Sequence, residues 1–280
     1  MFAPLLKLYM AGPEHPGKYR IVRWLGRHLM PESGIVGDVY PNARLWLNPL
    51  DWIEYLLLSG VQYEPLTLDF LAANLRPGDT ALFAGVNNGL HAIVGARAVG
   101  PLGRVIGCEP QPAALLRARA NIALNDIPES SLLLVAAALG SAPALTPLPW
   151  PPPDNRGSAS FFAAGNGFVA PVFDMAHLAR ALAVERIRLL LLEVQGCEDQ
   201  ALAGFGDSLR PEIAIVADDP EYRAKAGVDR AALYQRLLAM GYVLRTVHGE
   251  PADPASPALP ERNLFAILPG VAVHWAERRG

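Results

Sequence analysis

The sequence predicts an α/β fold built on a mostly parallel sheet, and three observations carry that expectation. From residue 63 onward, short apolar runs alternate with helical segments of about 10–15 residues, the rhythm of βαβ units. One run, Ile187–Val194, is almost wholly apolar, as a strand buried on both faces requires. A glycine-rich turn, Gly85-Val86-Asn87-Asn88-Gly89, directly follows the first run and opens the next helical segment. Right-handed crossovers then bring the C-terminal ends of the parallel strands to one edge, where a ligand site is expected.

The elements follow in order. Residues 1–62 mix aromatics, prolines and charges without a sustained period and read as an irregular N-terminal extension or lid. Within it one helix is expected at Pro49–Ser59, where Trp52, Tyr55, Leu56 and Leu57 share a face. Residues 63–280 read as one ligand-binding domain. It opens with a helix over Tyr63–Asn74, ended by the turn cluster Arg76-Pro77-Gly78-Asp79. A strand at Thr80–Ala84, a helix at Leu90–Val99, a strand at Arg104–Cys108, a helix at Pro112–Asn125 and a strand at Leu132–Ala136 come next.

Residues 141–174 break the rhythm. Six prolines lie from Pro143 to Pro153, and Asn155-Arg156-Gly157-Ser158 follows, so a long functional loop is expected here. Alternation resumes with a helix at Met175–Val184, the strand Ile187–Val194, a helix at Glu198–Leu209, a strand at Ile213–Ala217 and a helix at Ala231–Met240 capped by Gly241. Tyr242–Val247 and Leu264–Leu268 are expected to close the sheet as antiparallel strands, joined by a loop spaced with Pro251, Pro254, Pro257 and Pro260.

Composition narrows the function. The 280 residues are 51% hydrophobic and 18% charged, with a mean hydropathy of +0.20, which supplies a large core and excludes a disordered chain. Lys and Arg total 24 against 27 Asp and Glu, a formal charge of −3, so there is no basic surplus to neutralise nucleic-acid phosphates. No apolar run approaches the roughly 20 residues that cross a bilayer. The opening Met1–Tyr19 stretch makes a poor signal peptide. Cys108 and Cys197, the two cysteines, cannot build a disulfide scaffold. A cytoplasmic protein acting on a small molecule, with neither nucleic acid nor membrane as partner and self-association left open, is the expectation.

The turn and one acid define the chemistry. Glycines at 85 and 89 let a ligand approach the backbone, and the helix N-terminus behind them offers free N–H groups. Glu109, at the end of the second strand, is placed to accept both hydroxyls of a ribose. Gly-x-Asn-x-Gly lacks the third glycine of a pyrophosphate cradle, which favours a nucleoside ligand over a nicotinamide dinucleotide.

Further ordered matches add a resemblance. They are Tyr63-Glu64-Pro65, Leu75-Arg76-Pro77-Gly78-Asp79-Thr80, the Gly85/Asn87/Gly89 loop and Gly103-Arg104-Val105-Ile106-Gly107-Cys108-Glu109-Pro110. After these come Asn121-Ile122-Ala123-Leu124-Asn125, Ala138-Leu139-Gly140, Asn155-x-Gly157, Glu193-Val194-Gln195-Gly196-Cys197-Glu198, Leu202-x-Gly204 and Asn263-Leu264-Phe265-Ala266. With these the chain resembles, over about residues 60–270, the FkbM family of S-adenosylmethionine-dependent methyltransferases. The resemblance implies a Rossmann-like class I methyltransferase sheet of seven strands with the last antiparallel. It implies S-adenosyl-L-methionine as cofactor and O-methylation of a small natural product or sugar. It places Tyr63, Glu64, Gly85, Asn87, Gly89, Glu109, Ala137, Ala138 and Glu193 at the cofactor, and Asn155, Ser158 and Ser160 in a loop over the substrate.

The departures from that family are equally specific. Phe83 stands where the family carries an Asp that anchors the cofactor's methionine end, Ala92 replaces a Thr or Ser, and Asn88 replaces an apolar residue. After the fourth strand, Glu193-Val194-Gln195-Gly196 replaces Asp-Val-Glu-Gly. Each lost charge-assisted hydrogen bond costs about 1.5–3 kcal/mol, roughly ten- to hundredfold in affinity. An aromatic ring at 83 also threatens to obstruct the pocket. These changes motivate an alternative, a repurposed methyltransferase fold that runs another reaction or serves as a binding subunit.

Methyl transfer to a hydroxyl needs in-line placement and a group to take the proton. His91 and Glu193 are the catalytic candidates. For His91 the plainer reading is a helix-N-terminal histidine packed on the sheet, and Glu193 reads as cofactor anchor, base or metal ligand, since an unpaired carboxylate ending a buried strand is costly. Asp218 and Asp219 end the next strand and could join Glu193 around a divalent ion; the plainer reading is an acidic turn before Pro220. No His/Cys cluster has zinc spacing, and no metal site is assigned. Cys108 and Cys197 read as small buried residues near the pocket, and Trp150, Phe161 and Phe162 as pocket lining or simple packing.

Overall fold

The computed structural model describes the chain apart from residues 1–4, 6–7, 11, 14, 30, 32, 207–208, 256–258 and 276–280. Parts of the Met1–Tyr19 stretch, Pro257 and the end of the 63–280 unit therefore lie outside the described residues. In chain order the strands are β1 (Ile35–Tyr40), β2 (Ala43–Leu47), β3 (Thr80–Ala84), β4 (Arg104–Cys108), β5 (Leu132–Val135) and β6 (Ala138–Leu139). They continue with β7 (Ala144–Pro149), β8 (Gly167–Phe173), β9 (Leu189–Leu192), β10 (Ile213–Ala217), β11 (Val243–Arg245) and β12 (Asn263–Ile267).

The central sheet has seven strands in the order β11-β12-β10-β9-β3-β4-β5. β10, β9, β3, β4 and β5 pair in parallel, and β12 runs antiparallel between β10 and β11. This is the Rossmann-like sheet expected of the sequence, mostly parallel with its last strand reversed. The period-2 alternation of β3 shows how it is buried on both faces. Ala81 and Phe83 enter the core beneath the helices Pro65–Asn74 and Leu90–Val99, while Leu82 and Ala84 enter the core beneath Met175–Ala181 and Arg230–Ala239. From β3 the chain crosses to β4 on one side and later returns to β9 on the other. Their C-terminal ends thus flank the switch point at which α/β sheets open a crevice.

The N-terminal extension is more regular than expected. It forms a helix at Lys18–Leu29, the β1–β2 hairpin and a helix at Trp52–Leu58. Asn121 and Asn125 bind the exposed edge of β2: Trp46 N donates to Asn121 Oδ1 at 2.8 Å, Arg44 N to Asn125 Oδ1 at 2.9 Å, and Asn125 Nδ2 to Arg44 O at 2.7 Å. Val22, Leu45, Leu47 and Tyr55 share one core with Leu68, Leu71 and Phe83, so the extension is packed onto the domain.

Residues 141–174 also differ from the expected loop. β7 and β8 pair antiparallel, and with β6 they make a three-stranded sheet in the order β6-β8-β7. Pro147 and Pro149 are accommodated because β7 is an edge strand, where a missing N–H breaks no ladder on its free side. The irregular part shrinks to residues 150–166. A further helix, Pro220–Ala226, is capped by Asp219, whose side chain accepts from Glu221 N and Tyr222 N, and ends at Gly227 in the left-handed region. Among the described residues no helix is long and apolar enough to cross a membrane.

Candidate functional site

The site begins where β3 ends. Gly85 has φ +86°, and its N–H donates to Cys108 O at 2.9 Å. A Cβ at this position would overlap the carbonyl oxygen of Glu193, so the close approach of the β9 terminus requires glycine. Asn87 is also left-handed, with φ +51°, which turns its N–H toward Glu109 Oε2 at 2.9 Å. Gly89, at φ +91°, opens the helix Leu90–Val99. Asn88, the polar departure from the family pattern, makes that turn close: its Oδ1 accepts from Leu90 N at 3.1 Å, and its carbonyl accepts from Asn121 Nδ2 at 2.7 Å.

Glu109 is the other half of this turn. Its Oε1 accepts from Gln111 N at 2.9 Å, it is 6% exposed, and burial pushes its carboxyl above the usual range despite the two N–H donors. Each carboxylate oxygen has a second lone pair, so two further donors can be accepted. Glu109, Gly85, Asn87 and Ala138 border a cavity of about 280 Å³. Trp52, Ile53 and Leu56 of the extension form another wall. Ala137 is buried behind Ala138 and does not border the cavity.

The loop over the cavity is pinned by charge. Arg156 NH2 lies 2.7 Å from Glu54 Oε1, and Arg156 Nε lies 3.4 Å from Asp51 Oδ2. Arg117 Nε reaches Glu54 at 3.0 Å, so one buried carboxylate holds two guanidinium groups, although burial still raises its pKa. Asn155 borders the cavity. Ser158 and Ser160 do not: Ser158 Oγ donates to Asn155 O at 2.8 Å, and Ser160 Oγ to Gln195 O at 2.9 Å. Both serine hydroxyls thus bind backbone carbonyls, one of the loop itself and one of the turn after β9. Phe161 lines the cavity, whereas Trp150 packs on Phe168 with ring centroids 4.6 Å apart.

A second cavity, of about 390 Å³, adjoins the first. Glu64, Asn263 and Glu261 border it, and Tyr63, Glu193, Gln195, Asp219 and Arg262 border both. Glu193 and Gln195 therefore form part of the wall between the two. Gln195 is left-handed at φ +53°, and its buried Oε1 has no hydrogen-bond partner. The sequence marks Gln195 as a departure but not as a site residue, and Arg156 only as part of the Asn155–Ser158 loop; Tyr222 and Arg262 carry no signal at all.

Glu64, His91 and Glu193 converge behind that wall. His91 Nε2 lies 3.2 Å from Glu64 Oε2. Burial raises Glu64 to about 7, and burial together with the Glu64 charge puts Glu193 well above the carboxylate range. Burial lowers His91, and the Glu64 charge followed by burial raises Tyr63. His91 borders neither cavity and meets the second only through its contact with Glu64. Asp218 and Asp219 do not join Glu193. Asp218 is paired with Arg223 and Arg230 at 2.9 and 2.6 Å, and Asp219 with Arg262, so charge pairing explains this acidic turn. Cys108 and Cys197 are buried free thiols, both raised to about 12 by burial and therefore poor nucleophiles.

Phe83 does not obstruct the crevice. It is 1% exposed and packs against Gly95, where a Cβ would come within 2.7 Å of the ring. Ala92 is likewise buried core. Replacing Phe83 by Asp is expected to cost more than about 3 kcal/mol, the loss for truncating a buried Phe plus that of burying an unpaired carboxylate. Urea denaturation measures it; unchanged stability would mean that the ring is not core.

The turn after β9 rests on Glu198, whose carboxylate accepts from Val194 N and Gly196 N, each at 3.0 Å. Burial raises it from 4.5 to about 7. The folded state then holds this proton more tightly than the unfolded chain. Its stabilisation is full below pH 4.5 and is lost as pH rises to 7. Stability is expected to fall by about 2–3 kcal/mol over that window through this group, and Glu198→Gln to remove that share of the slope. Denaturation at a series of pH values checks both.

No family model matches the chain, and no curated protein matches it. Solved structures are similar to it at low identity, with TM-scores under 0.5. The methyltransferase FkbM from Methylobacillus flagellatus is 11% identical with a TM-score of 0.45, over 95% of this chain and 58% of that one. A SAM-dependent O-methyltransferase from Thermotoga maritima is 14% identical with a TM-score of 0.41, over 73% and 65%. Aeropyrum pernix fibrillarin, solved with natively bound S-adenosyl-L-methionine, is 14% identical with a TM-score of 0.40, over 69% and 67%. The chain thus spans less than two thirds of the first two. The site's own residues, not these likenesses, carry the functional conclusion.

Proposed function

We propose that the protein is an S-adenosylmethionine-dependent methyltransferase of the FkbM kind, acting in the cytoplasm on an oxygen of a small natural product or sugar. The supporting observation is Glu109, a buried carboxylate at the end of β4, oriented by two backbone N–H groups beside a cavity at the switch point of the sheet. The residues present fit such a cofactor. Glu109 retains acceptor capacity for both ribose hydroxyls, and the unpartnered Gln195 Oε1 is the kind of orphaned group that a ligand donor satisfies.

In this reading Glu109, Asn87 and Ala138 hold the adenosine end, while Gly85, Tyr63 and Glu193 border the space for the methionyl end. When bound, the cofactor supplies a methyl group on a positively charged sulfur. Trp52, Ile53, Leu56 and Leu148 keep that space apolar and exclude water. The second cavity receives the acceptor. Glu193, on the wall common to both, is the group to hold the acceptor's proton, a task suited to a carboxyl whose proton affinity is raised. Calorimetric titration with S-adenosylmethionine and S-adenosylhomocysteine tests this. One site with a Kd in the range of about 1–100 μM is expected. No heat from folded protein at about 1 mM ligand would remove the assignment.

A further inference from the structure

We propose that Glu64, His91 and Glu193 form a binding site for a divalent transition-metal ion at the wall between the two cavities. Among the described residues this is the one group of three His, Cys, Asp or Glu side chains whose ligand atoms converge, one atom from each lying within 4.8 Å of the others. The separation of His91 Nε2 and Glu64 Oε2, 3.2 Å, suits two ligands of one ion. Bonds of about 2.0–2.2 Å, meeting at angles between octahedral and tetrahedral, place ligand atoms about 3.0–3.5 Å apart.

A second observation is the state of His91 itself. His91 is 8% exposed, its Nε2 is buried and directed at the carboxylates, and it has no aligned hydrogen-bond partner. The 3.2 Å contact with Glu64 is thus a close approach without hydrogen-bond alignment, which a metal ion held by both atoms accounts for. Among the described residues no Lys or Arg forms an ion pair with Glu64 or Glu193. A dication supplies the missing charge and takes up the imidazole lone pair.

One nitrogen and two carboxylate oxygens suit zinc, cobalt, manganese or ferrous iron rather than the all-oxygen shells of magnesium and calcium. Glu64 and Glu193 both border the second cavity, so the coordination positions that the protein leaves open face it. An oxygen of an incoming molecule can complete the shell there. The site consists of protein ligands alone and does not rest on the cofactor assignment; with the ion bound, Glu193 is a ligand and no longer the free proton acceptor of the metal-free protein.

Titrating chelator-treated full-length protein with Co²⁺, followed by calorimetry and visible absorption, tests the site without any cofactor. One equivalent bound more tightly than about 100 μM is expected, with the absorption bands of a low-coordinate cobalt ion and release of protons. His91→Gln and Glu193→Gln are expected to weaken binding at least about tenfold and to lose the bands. Near-UV circular dichroism checks that both variants are folded. Weaker binding or absent bands in the native protein overturns the proposal, as do bands and affinity unchanged in folded His91→Gln. Because the native protein's titration decides by itself, a variant that fails to fold leaves the test intact.

Discussion

Replacing Glu109 by alanine is expected to weaken S-adenosylhomocysteine binding by at least about a hundredfold. Two ribose hydroxyls on one carboxylate make two charge-assisted hydrogen bonds of about 1.5–3 kcal/mol each, and about 1.4 kcal/mol is tenfold in affinity. The substitution also removes the acceptor of Asn87 N and Gln111 N, so the turn that shapes the cavity loosens. Glu109→Gln is informative beside it. A side-chain amide has one acceptor oxygen, and its NH₂ group would face one of those backbone N–H donors, so a weakening of about tenfold or more is expected even in this near-isosteric variant. Calorimetry on variants shown to be folded measures both. Unchanged affinity in Glu109→Ala would place the ribose elsewhere.

Gly85→Ala is the larger test of the architecture. A left-handed non-glycine residue costs about 1–2 kcal/mol, and overpacking against a fixed neighbour adds about 1–3 kcal/mol. The neighbour is backbone, the Glu193 carbonyl, so relief requires moving β9 away from β3. A total loss of about 2–5 kcal/mol is expected, together with loss of the cavity. Gly78→Ala is the control. Gly78 has φ +93°, and nothing lies within 4 Å of a Cβ built there, so the cost of the dihedral alone is expected. The difference between the two midpoints in urea isolates the close approach at Gly85. Equal midpoints would show that the strand termini do not meet as described.

Much of the central sheet was legible because its burial writes itself into the pattern. β3, β4, β10 and the helix Leu90–Val99 appear with the boundaries that apolar runs and glycine turns predict. The hairpin was not legible. β1 carries Gly37 and Asp38 in mid-strand, and the edge of β2 is satisfied by Asn121 and Asn125 from a helix distant in sequence. β7 was hidden by prolines that only an edge strand tolerates. The helix Pro220–Ala226 had its signals in plain view: an Asp cap, a proline in the first turn and a terminal glycine.

The site divides in the same way. Gly85, Asn87 and Glu109 follow from local turn chemistry, because a strand-to-helix turn and the next strand end are coupled by short spacing. The Glu64, His91 and Glu193 cluster joins three distant positions, and no spacing rule connects them. Glu261 is similar. Its carboxylate accepts from Leu66 N, Thr67 N and Thr67 Oγ1, each at 2.8 Å, and so caps a helix almost two hundred residues earlier, holding Glu64 in a left-handed conformation at the cavity. Phe83 shows the converse. A motif comparison made it a threat to the pocket, and strand parity sends its ring into the core instead.

The most direct measurement is a crystal structure of the protein grown with S-adenosylhomocysteine. It should show adenosine at the carboxyl edge of the sheet, with both ribose hydroxyls within hydrogen-bond distance of Glu109 and the homocysteine end running past Gly85 toward Glu193. Electron density for the ligand anywhere else, or a saturated crystal with the Glu109 crevice holding only solvent, would contradict it.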